Sequence, residues 1–389
     1  MELFIKILYA LPAYQSALLA VLLFASGKRE RGHSKMIMGA FLSMTFIYFS
    51  FNLLYSLRGF DALVKIYFLI LPVILVFIPL FYLYLESITI PGFHFRKQQL
   101  GHFLPAIVFL ILKIPYFFAT EQEKYSYITH GLYQPDMSPM ILYLLIVYIL
   151  GIYIVCNLQL MYYVYRSLQL FHRHKIYIAN RFSYTENTRL GWIKTLIFCF
   201  VVFFLVNEFL YIIGIKQYPG ARIFYNISML GIILFAAYHA LMQKDLGKET
   251  AGEEELSPGG TLKLKYSGSS LSEGQKQALI VKLDVLMQDE KIYKDHELSI
   301  EDVAFRLKTN SKYISQILNE HYRKNFFTFI NNYRVTEAQR LLSADKARKY
   351  SILGIAQMAG FTSKSSFNEA FKNIAGTTPS EFRRKLVSL

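Results

Sequence analysis

Cysteine is nearly absent from this chain, and so are the motifs of several enzyme classes. The two cysteines, Cys156 and Cys199, both lie inside apolar runs, so neither a disulfide framework nor a cysteine-rich zinc site is available. The sequence has no P-loop, no glycine-rich ATP loop, no H-E-x-x-H motif and no paired acidic metal motif. We therefore expect a protein that is not an enzyme and that holds no metal or cofactor.

Acidic residues are also scarce relative to basic ones, although the chain is strongly apolar. Hydrophobic residues make up 54% of the 389 positions, and the formal net charge is +15. Nearly all the long uncharged runs lie before residue 243, whereas residues 243–389 are polar and amphipathic. This division predicts a membrane domain over 1–242, a linker over 243–271 and a second domain over 272–389.

Seven segments are long and apolar enough to cross a bilayer as helices, which takes about 20 residues. They are 3–25, 36–55, 63–85, 100–119, 139–165, 192–213 and 223–242. Charged residues follow the first segment where a signal peptide would have a cleavage site of small residues, so a retained span is expected. The predicted fold is all-α, with a seven-helix transmembrane bundle followed by a helical C-terminal domain.

The basic residues of the loops predict the orientation of the spans, because Lys and Arg are retained in the cytoplasm. The loops after spans one, three and five hold Lys28, Arg29, Arg31, Lys35, Arg96, Lys97, Arg166, Arg173, Lys175, Arg181 and Arg189. The alternate loops hold Arg58, Lys124, Lys216 and Arg222. This asymmetry places the N-terminus outside and the C-terminal domain in the cytoplasm of a bacterial cell, with the spans in its inner membrane.

The linker over 243–271 is rich in Gly, Ser and charge, which is typical of a flexible tether. A tether of this length extends on the order of 30 Å. Its KLKY sequence, residues 263–266, could alternatively lie on anionic lipid.

The same helical pattern of apolar residues occurs twice in the C-terminal domain. Apolar residues recur at helical spacing in a short segment, a turn follows, and a second segment carries three more inward positions. The first copy has Ile300, Val303, Ala304 and Leu307, then Ile314, Ile317 and Leu318; the second has Ile352, Ile355, Ala356 and Ala359, then Phe367, Ala370 and Phe371. This arrangement is what a helix-turn-helix requires. The segment from Phe326 to Leu342 is predicted to form one long connecting helix.

The start of each second helix suggests contacts with phosphate. Asn310 and Thr362 suit the N-cap position, and the Ser and Lys residues that follow each of them are placed at a helix N-terminus. Gly360 supplies the turn of the second unit with a residue that tolerates a positive φ.

The sequence A-x-x-x-G-F, followed by S-x-x-x-F-x-x-x-F-K and T-P-S-E-F-R, extends from Ala356 to Arg383. Over about 100 residues this C-terminal region resembles the DNA-binding domain of the AraC/XylS transcription regulators. The resemblance implies a seven-helix domain with two helix-turn-helix units, each placing its second helix in a major groove of promoter DNA.

By this resemblance, thirteen positions are expected to face DNA. They are Asn310, Ser311, Lys312, Tyr313, Ser315, Gln316, Thr362, Ser363, Lys364, Ser365, Asn368, Glu369 and Lys372. The family often has Arg where Gln316 and Glu369 stand. Gln can read adenine and Glu can accept from cytosine, so altered base preference and weakened binding both remain open. Phe361, Phe367 and Phe371 are expected to pack in the core.

Polar residues within the spans are candidates for a sensor, because ionisable groups in a bilayer normally pair or line a cavity. Toward the predicted outer face lie Lys6, Asn52, Lys113, Asn207, Glu208 and Asn226. Lys113 and Glu208 are the natural pair. Two interpretations stay open: the lysines extend to the headgroups while Glu208 makes a structural hydrogen bond, or these residues line a pocket for an unknown signal ligand.

The function expected from these observations is a membrane-anchored transcription regulator that couples a signal to promoter binding. Its expected partners are double-stranded promoter DNA, the lipid bilayer, RNA polymerase, a second copy of the chain and the signal ligand. The alternative is a transporter-like or receptor protein whose cytoplasmic tail binds other proteins. A histidine kinase would lack room for its ATP-binding domain, and a retinal protein would need a Lys in the last span.

Reporter fusions test this orientation. A reporter active only in the cytoplasm should give signal when it is fused after Lys244, and no signal when it is inserted near Tyr127. Activity at both positions, or only near Tyr127, would contradict the seven-span topology.

Overall fold

The structure is a computed structural model that describes residues 2–30, 33–57, 59–129, 137–184, 191–212, 219–242, 271–344 and 350–387. The fold is all-α, as the composition predicts. Among the described residues the only β-type pairing is an isolated antiparallel bridge between Phe182 and Ser299. The predicted linker over 243–271 lies outside the described residues except for Leu271.

Ten α-helices precede the linker in the described part of the chain, and most of them follow the apolar runs. They are α1 (Glu2–Glu30), α2 (His33–Ser56), α3 (Phe60–Ile66), α4 (Ile70–Thr89), α5 (Leu104–Leu112), α6 (Glu121–Thr129), α7 (Pro139–Ile149), α8 (Asn157–Arg181), α9 (Gly191–Ile212) and α10 (Pro219–Met242). A π-helical segment, Leu150–Cys156, joins α7 to α8.

Six helical stretches in the described part of the chain are long and apolar enough to cross a membrane. They are Ala10–Arg29, His33–Ser56, Phe60–Thr89, Lys97–Phe118, Pro139–Arg181 and Ile223–Met242. The segment predicted over 192–213 corresponds to α9, whose apolar stretch is shorter, Gly191–Asn207. The six stretches overlap the other six predicted spans.

Several polar side chains inside these helices make hydrogen bonds within their own helix. The hydroxyl groups of Ser16 and Thr45 donate to the carbonyl oxygens of Pro12 and Phe41, one turn earlier in the same helix, at 2.6 and 2.9 Å. The amide of Asn157, the first residue of α8, donates to the carbonyl oxygens of Ile152 and Tyr153 in the π-helical segment, which satisfies groups that the irregular turn frees. Such bonds let polar residues lie in apolar surroundings at little cost.

The chain forms two compact units. The first comprises residues 1–171 and 191–253, and the second comprises residues 172–190 and 254–389. The border between them falls within the sequence of α8, whose last turns therefore belong to the second unit.

Seven α-helices lie within the described residues 271–344 and 350–387 of the second unit, the number that the family resemblance implies. They are α11 (Glu273–Gln288), α12 (Ile300–Arg306), α13 (Ser311–Glu320), α14 (Phe326–Ser343), α15 (Ile352–Met358), α16 (Lys364–Ala375) and α17 (Pro379–Val387). A capping box precedes α11, because Ser272 and Gln275 each bond to the other's backbone N–H. The long connecting helix predicted from Phe326 is α14.

Two apolar cores share α14. Its first half contributes Phe326, Phe329 and Ile330 to a core with α11, α12 and α13. Its second half contributes Val335 and Ala338, among others, to a core with α15 and α16. Each helix-turn-helix unit therefore packs against one half of a single helix, which can hold the two units at a fixed spacing.

A buried carboxylate ties α14 to the turn that precedes α12. Glu337 is only 5% exposed; it accepts two hydrogen bonds from Arg340, at 2.8 and 2.9 Å, and pairs with Lys294 at 2.9 Å. The hydrogen bonds from Arg340 and the charge of Lys294 lower the pKa of Glu337 from 4.5 to about 2. The carboxylate therefore stays ionised and fixes the start of the first helix-turn-helix unit on the connecting helix.

Candidate functional site

The first helix-turn-helix unit consists of α12, a turn and α13. Ser299 caps α12 by accepting from the N–H of Asp302. Asn310 caps α13, as predicted, by accepting from the N–H of Lys312 at 2.8 Å. In the turn, Lys308 adopts a φ of +50°. Inward residues Ile314, Ile317 and Leu318 of α13 are fully buried, so the opposite face of the helix is directed to solvent.

The second unit consists of α15, a turn and α16. Ser351 caps α15, and Gly360 in the turn has the positive φ that the sequence predicts, +98°. The N-cap of α16 differs from the prediction: it is Ser363, whose hydroxyl accepts from the N–H of Ser366 at 3.2 Å. Thr362 lies one residue too early, because the extended backbone that an N-cap requires falls at Ser363.

None of the thirteen residues expected to face DNA is buried. Exposed are Asn310, Lys312, Thr362, Lys364, Ser365, Glu369 and Lys372, and half-buried are Ser311, Tyr313, Ser315, Gln316, Ser363 and Asn368. Phe361, Phe367 and Phe371 are buried at 2% exposure or less, so these aromatic side chains pack in the core as expected. Each second helix thus presents its expected contact residues on the face away from its core.

Gln316, one of the expected base-reading residues, is engaged on its own helix. Its amide donates to Glu320 at 3.0 Å, and Glu320 also accepts from Lys276 of α11 at 2.8 Å. The hydrogen bond from Lys276 is the main reason why the pKa of Glu320 lies below its ordinary value. This bond uses one of the two N–H groups of the Gln316 amide and constrains the orientation in which the amide can meet a base.

Arg334 is a structural feature that the sequence analysis did not single out. It lies on α14 between the two cores, is 1% exposed, and donates to the carbonyl oxygens of Tyr293 at 2.7 Å and Asp295 at 2.6 Å. Its guanidinium also lies 5.8 Å from the ring centroid of Phe361, after α15. Burial lowers its pKa to about 10, so it remains charged at neutral pH. A signal was present, because Arg334 interrupts the apolar spacing of Ile330 and Ala338 on α14.

The polar residues predicted to form a sensor differ in their surroundings. Asn52 and Asn207 donate to the carbonyl oxygens of Tyr48 and Phe203 in their own helices, at 3.0 and 2.8 Å. Asn226 is buried at 4% exposure. The side chains of Lys6 and Glu208 lie outside the described residues, so the structure does not describe the expected pairing of Glu208 with Lys113.

Lys113 is buried in an aromatic environment. It is 1% exposed, and its Nζ atom donates to the hydroxyl oxygen of Tyr127 at 2.6 Å and to the carbonyl oxygen of Leu144 at 3.5 Å. The same ammonium lies 4.7 Å from the ring centroid of Tyr127 and 6.0 Å from that of Tyr148. This cation does not extend to solvent, which argues against the interpretation that it reaches the headgroups.

A family model described as a helix-turn-helix domain matches residues 303–385. The match confirms the helix-turn-helix part of the sequence prediction. It begins within α12 and includes both second helices, so it coincides with the duplicated unit.

Two relatives are regulators of operons. The chain is 35% identical over 91 residues to the melibiose operon regulatory protein of Escherichia coli strain K12, which covers 23% of this chain and 29% of that protein. It is 30% identical over 89 residues to the Msm operon regulatory protein of Streptococcus mutans serotype c, which covers 23% of this chain and 31% of that protein. The chain thus spans less than a third of either relative. No solved structure matches the chain.

Replacing Gly360 with Ala should destabilise the second helix-turn-helix unit. A Cβ atom there would lie 2.6 Å from the carbonyl oxygen of Tyr293 and 2.9 Å from Cα of Lys294, in a backbone conformation that costs a non-glycine residue about 1 to 3 kcal/mol. We expect a loss of at least about 2 kcal/mol in urea unfolding of the helix-turn-helix domain, measured in the full chain in nanodiscs.

Gly354→Ala in α15 is the matched control, because its added Cβ atom would meet only the hydroxyl of Ser351 at 3.4 Å. Alanine favours a helix over glycine, so this variant should be as stable as the parent or more so. Equal stability of the two variants would contradict the close approach at Gly360.

Proposed function

Because the C-terminal region is a helix-turn-helix domain, we propose that this protein is a membrane-anchored transcription regulator that binds specific promoter sequences. The observation that carries the proposal is the pair of helix-turn-helix units on one connecting helix, each with its expected contact residues at the surface. The two operon regulators that match part of the chain support the DNA-binding role. Phosphate contacts from Lys312 and Lys364 would position the domain, and Gln316 and Asn368 would read base edges.

Membrane anchoring is supported by the outer surfaces of the apolar helices. Large side chains such as Met161, Phe198 and Phe209 are between 61% and 70% exposed on α8 and α9. In water such surfaces would be costly, whereas lipid accommodates them. The spans therefore belong in a bilayer, which we propose is the bacterial inner membrane.

Seven spans remain our proposal for the topology. Helix α9 has 22 residues, which at 1.5 Å per residue gives about 33 Å, close to the roughly 30 Å hydrocarbon core of a bilayer. With α9 as a span, the N-terminus lies outside and the helix-turn-helix domain lies in the cytoplasm, where promoter DNA and RNA polymerase are available to it.

We further propose that the buried Lys113 belongs to a sensor within the membrane domain. An ammonium group in an apolar environment is costly, and here two aromatic rings and a phenol surround it. A ligand or a helix movement that changed the contact of Lys113 with Tyr127 would alter helix packing. Altered helix packing could also reach the DNA-binding domain through dimerisation of two copies of the chain.

The contact residues can be tested on DNA sites selected from a random library with the full chain in nanodiscs. Gln316→Ala and Asn368→Ala should each lower discrimination at one position of the site by about 1 to 3 kcal/mol. Lys312→Ala should weaken binding to all sequences and reduce the dependence of binding on salt concentration. Competition binding with single-base variants of the site measures both effects.

Lys282→Ala provides a charge-matched control, because Lys282 is exposed on α11 and is not among the thirteen residues expected to face DNA. It should leave base discrimination unchanged and have little effect on affinity. Equal losses on every sequence for Gln316→Ala, Asn368→Ala and Lys312→Ala would contradict the proposed roles, and failure of the parent chain to select any DNA would favour a protein-binding tail.

The sensor proposal predicts that Lys113→Met and Tyr127→Phe change the output of a promoter reporter in the same direction. Both variants remove the hydrogen bond between Nζ of Lys113 and the phenol oxygen of Tyr127, and both introduce an apolar side chain of similar size. Lys65→Met, at an exposed position of α3, is the control. Unchanged output at unchanged protein level for both test variants, under conditions in which the parent responds, would reject the sensor.

A further inference from the structure

Residues 181–184, at the end of α8, make an ordered contact with the helix-turn-helix part of the second unit. The backbone N–H of Ser183 donates to the carbonyl oxygen of Leu298 at 3.1 Å, and Phe182 forms the antiparallel bridge with Ser299. Arg181 pairs with Glu301 of α12 at 3.2 Å. Three successive residues thus contact the segment that leads into the first helix-turn-helix unit.

Ser183 completes the hydrogen bonding of Arg334. The Nη1 and Nη2 groups of Arg334 donate to the carbonyl oxygen and hydroxyl oxygen of Ser183 at 3.0 and 2.9 Å, and this hydroxyl donates to Leu298 at 2.6 Å. Both side chains are 1% exposed. A buried guanidinium that loses such acceptors is left with desolvated N–H groups that have no partner, which is strongly unfavourable. The surface around Arg334 therefore requires an occupant with these oxygen atoms.

Arg334 is also the point where the two helix-turn-helix units meet α14. It holds the carbonyl oxygens of Tyr293 and Asp295 ahead of α12, and it lies beside Phe361, between α15 and α16. A change at Ser183 would therefore alter the support of both units at once. The residues expected to face DNA are exposed or half-buried while Ser183 is in place, so the contact leaves the proposed DNA surface uncovered.

Helix α8 connects this contact to the membrane domain. It runs from Asn157 to Arg181, and its residues up to 171 belong to the first unit. A shift of α8 along or about its axis would displace residues 181–184 from Leu298 and Arg334, because a helix transmits such a movement along its length.

We propose that residues 181–184 are the contact through which the membrane domain controls DNA binding: docked on Leu298, Ser299 and Arg334 of the same chain, they hold the two helix-turn-helix units in the arrangement that binds DNA. This inference rests on the proposed DNA-binding function and adds to it the route of control. Release of Ser183 leaves Arg334 short of two acceptors, which loosens the joint between the units.

Disulfide crosslinking in native membranes tests the contact directly. Bridge partners in an antiparallel pair have Cα atoms about 4.5 to 5.5 Å apart, which suits a disulfide. In a chain with Cys156→Ala and Cys199→Ala, Phe182→Cys with Ser299→Cys should form a disulfide within one chain under mild oxidation. Lys175→Cys with Ser299→Cys is the control and should not, because Lys175 lies about 10 Å further back along α8.

The regulatory role has a separate readout in the affinity of the full chain in nanodiscs for its selected DNA. Ser183→Ala removes the hydroxyl that serves Arg334 and should raise Kd about fivefold or more, within the usual range of coupling between sites. Adding the oxidised Phe182→Cys and Ser299→Cys pair to Ser183→Ala should restore the parent's Kd, since the disulfide replaces the lost contact.

Three results would overturn the inference: no preference for the Phe182 pair over the Lys175 pair, a disulfide formed between two copies, or an unchanged Kd for Ser183→Ala. Failure of the parent chain to bind any DNA would reject the proposed function instead, and the crosslink would still test the contact by itself.

Discussion

The buried guanidinium of Arg334 is the constraint on which the arrangement of the C-terminal domain depends. A charge that is 1% exposed must have its hydrogen bonds satisfied by fixed acceptors, because water cannot reach it. The turn before α12 supplies two of these acceptors as backbone carbonyl oxygens, and Ser183 supplies two more oxygen atoms. The positions of three separate chain segments are therefore set by one side chain of the connecting helix.

Much of the fold could be predicted from the sequence because it depends on local signals. Apolar spacing and capping residues predicted the start of α13 and both ends of α14 to within a residue, and the need for a positive φ at Gly360 followed from its place in a short turn. The duplicated pattern also predicted which face of α13 and α16 is buried, since one face must cover the core of each unit. Where two neighbouring residues could both cap a helix, as at Thr362 and Ser363, the sequence alone did not decide between them.

The contacts that connect distant segments could not be predicted in this way. Ser183 and Arg334 are 151 positions apart, and neither residue type indicates a partner. The basic residues around Arg181 were interpreted through the loop charge that orients the spans, although Arg181 also pairs with Glu301. The contact of Lys113 with Tyr127 was missed in the same way. The sequence indicated that the lysine is costly in lipid, but it suggested Glu208 as its partner.

The sequence also indicates why a small contact is sufficient for control. Residues 181–184 and the helix-turn-helix domain belong to one chain and are joined through the predicted linker, so docking is intramolecular, at an effective concentration on the order of millimolar. A contact of about millimolar intrinsic affinity would then be docked roughly half of the time. An equilibrium near this balance responds most strongly to a small change in free energy, since about 1.4 kcal/mol changes the ratio of docked to released domains tenfold. A few hydrogen bonds at Ser183 are of that size, so a modest movement of α8 is enough to shift the balance.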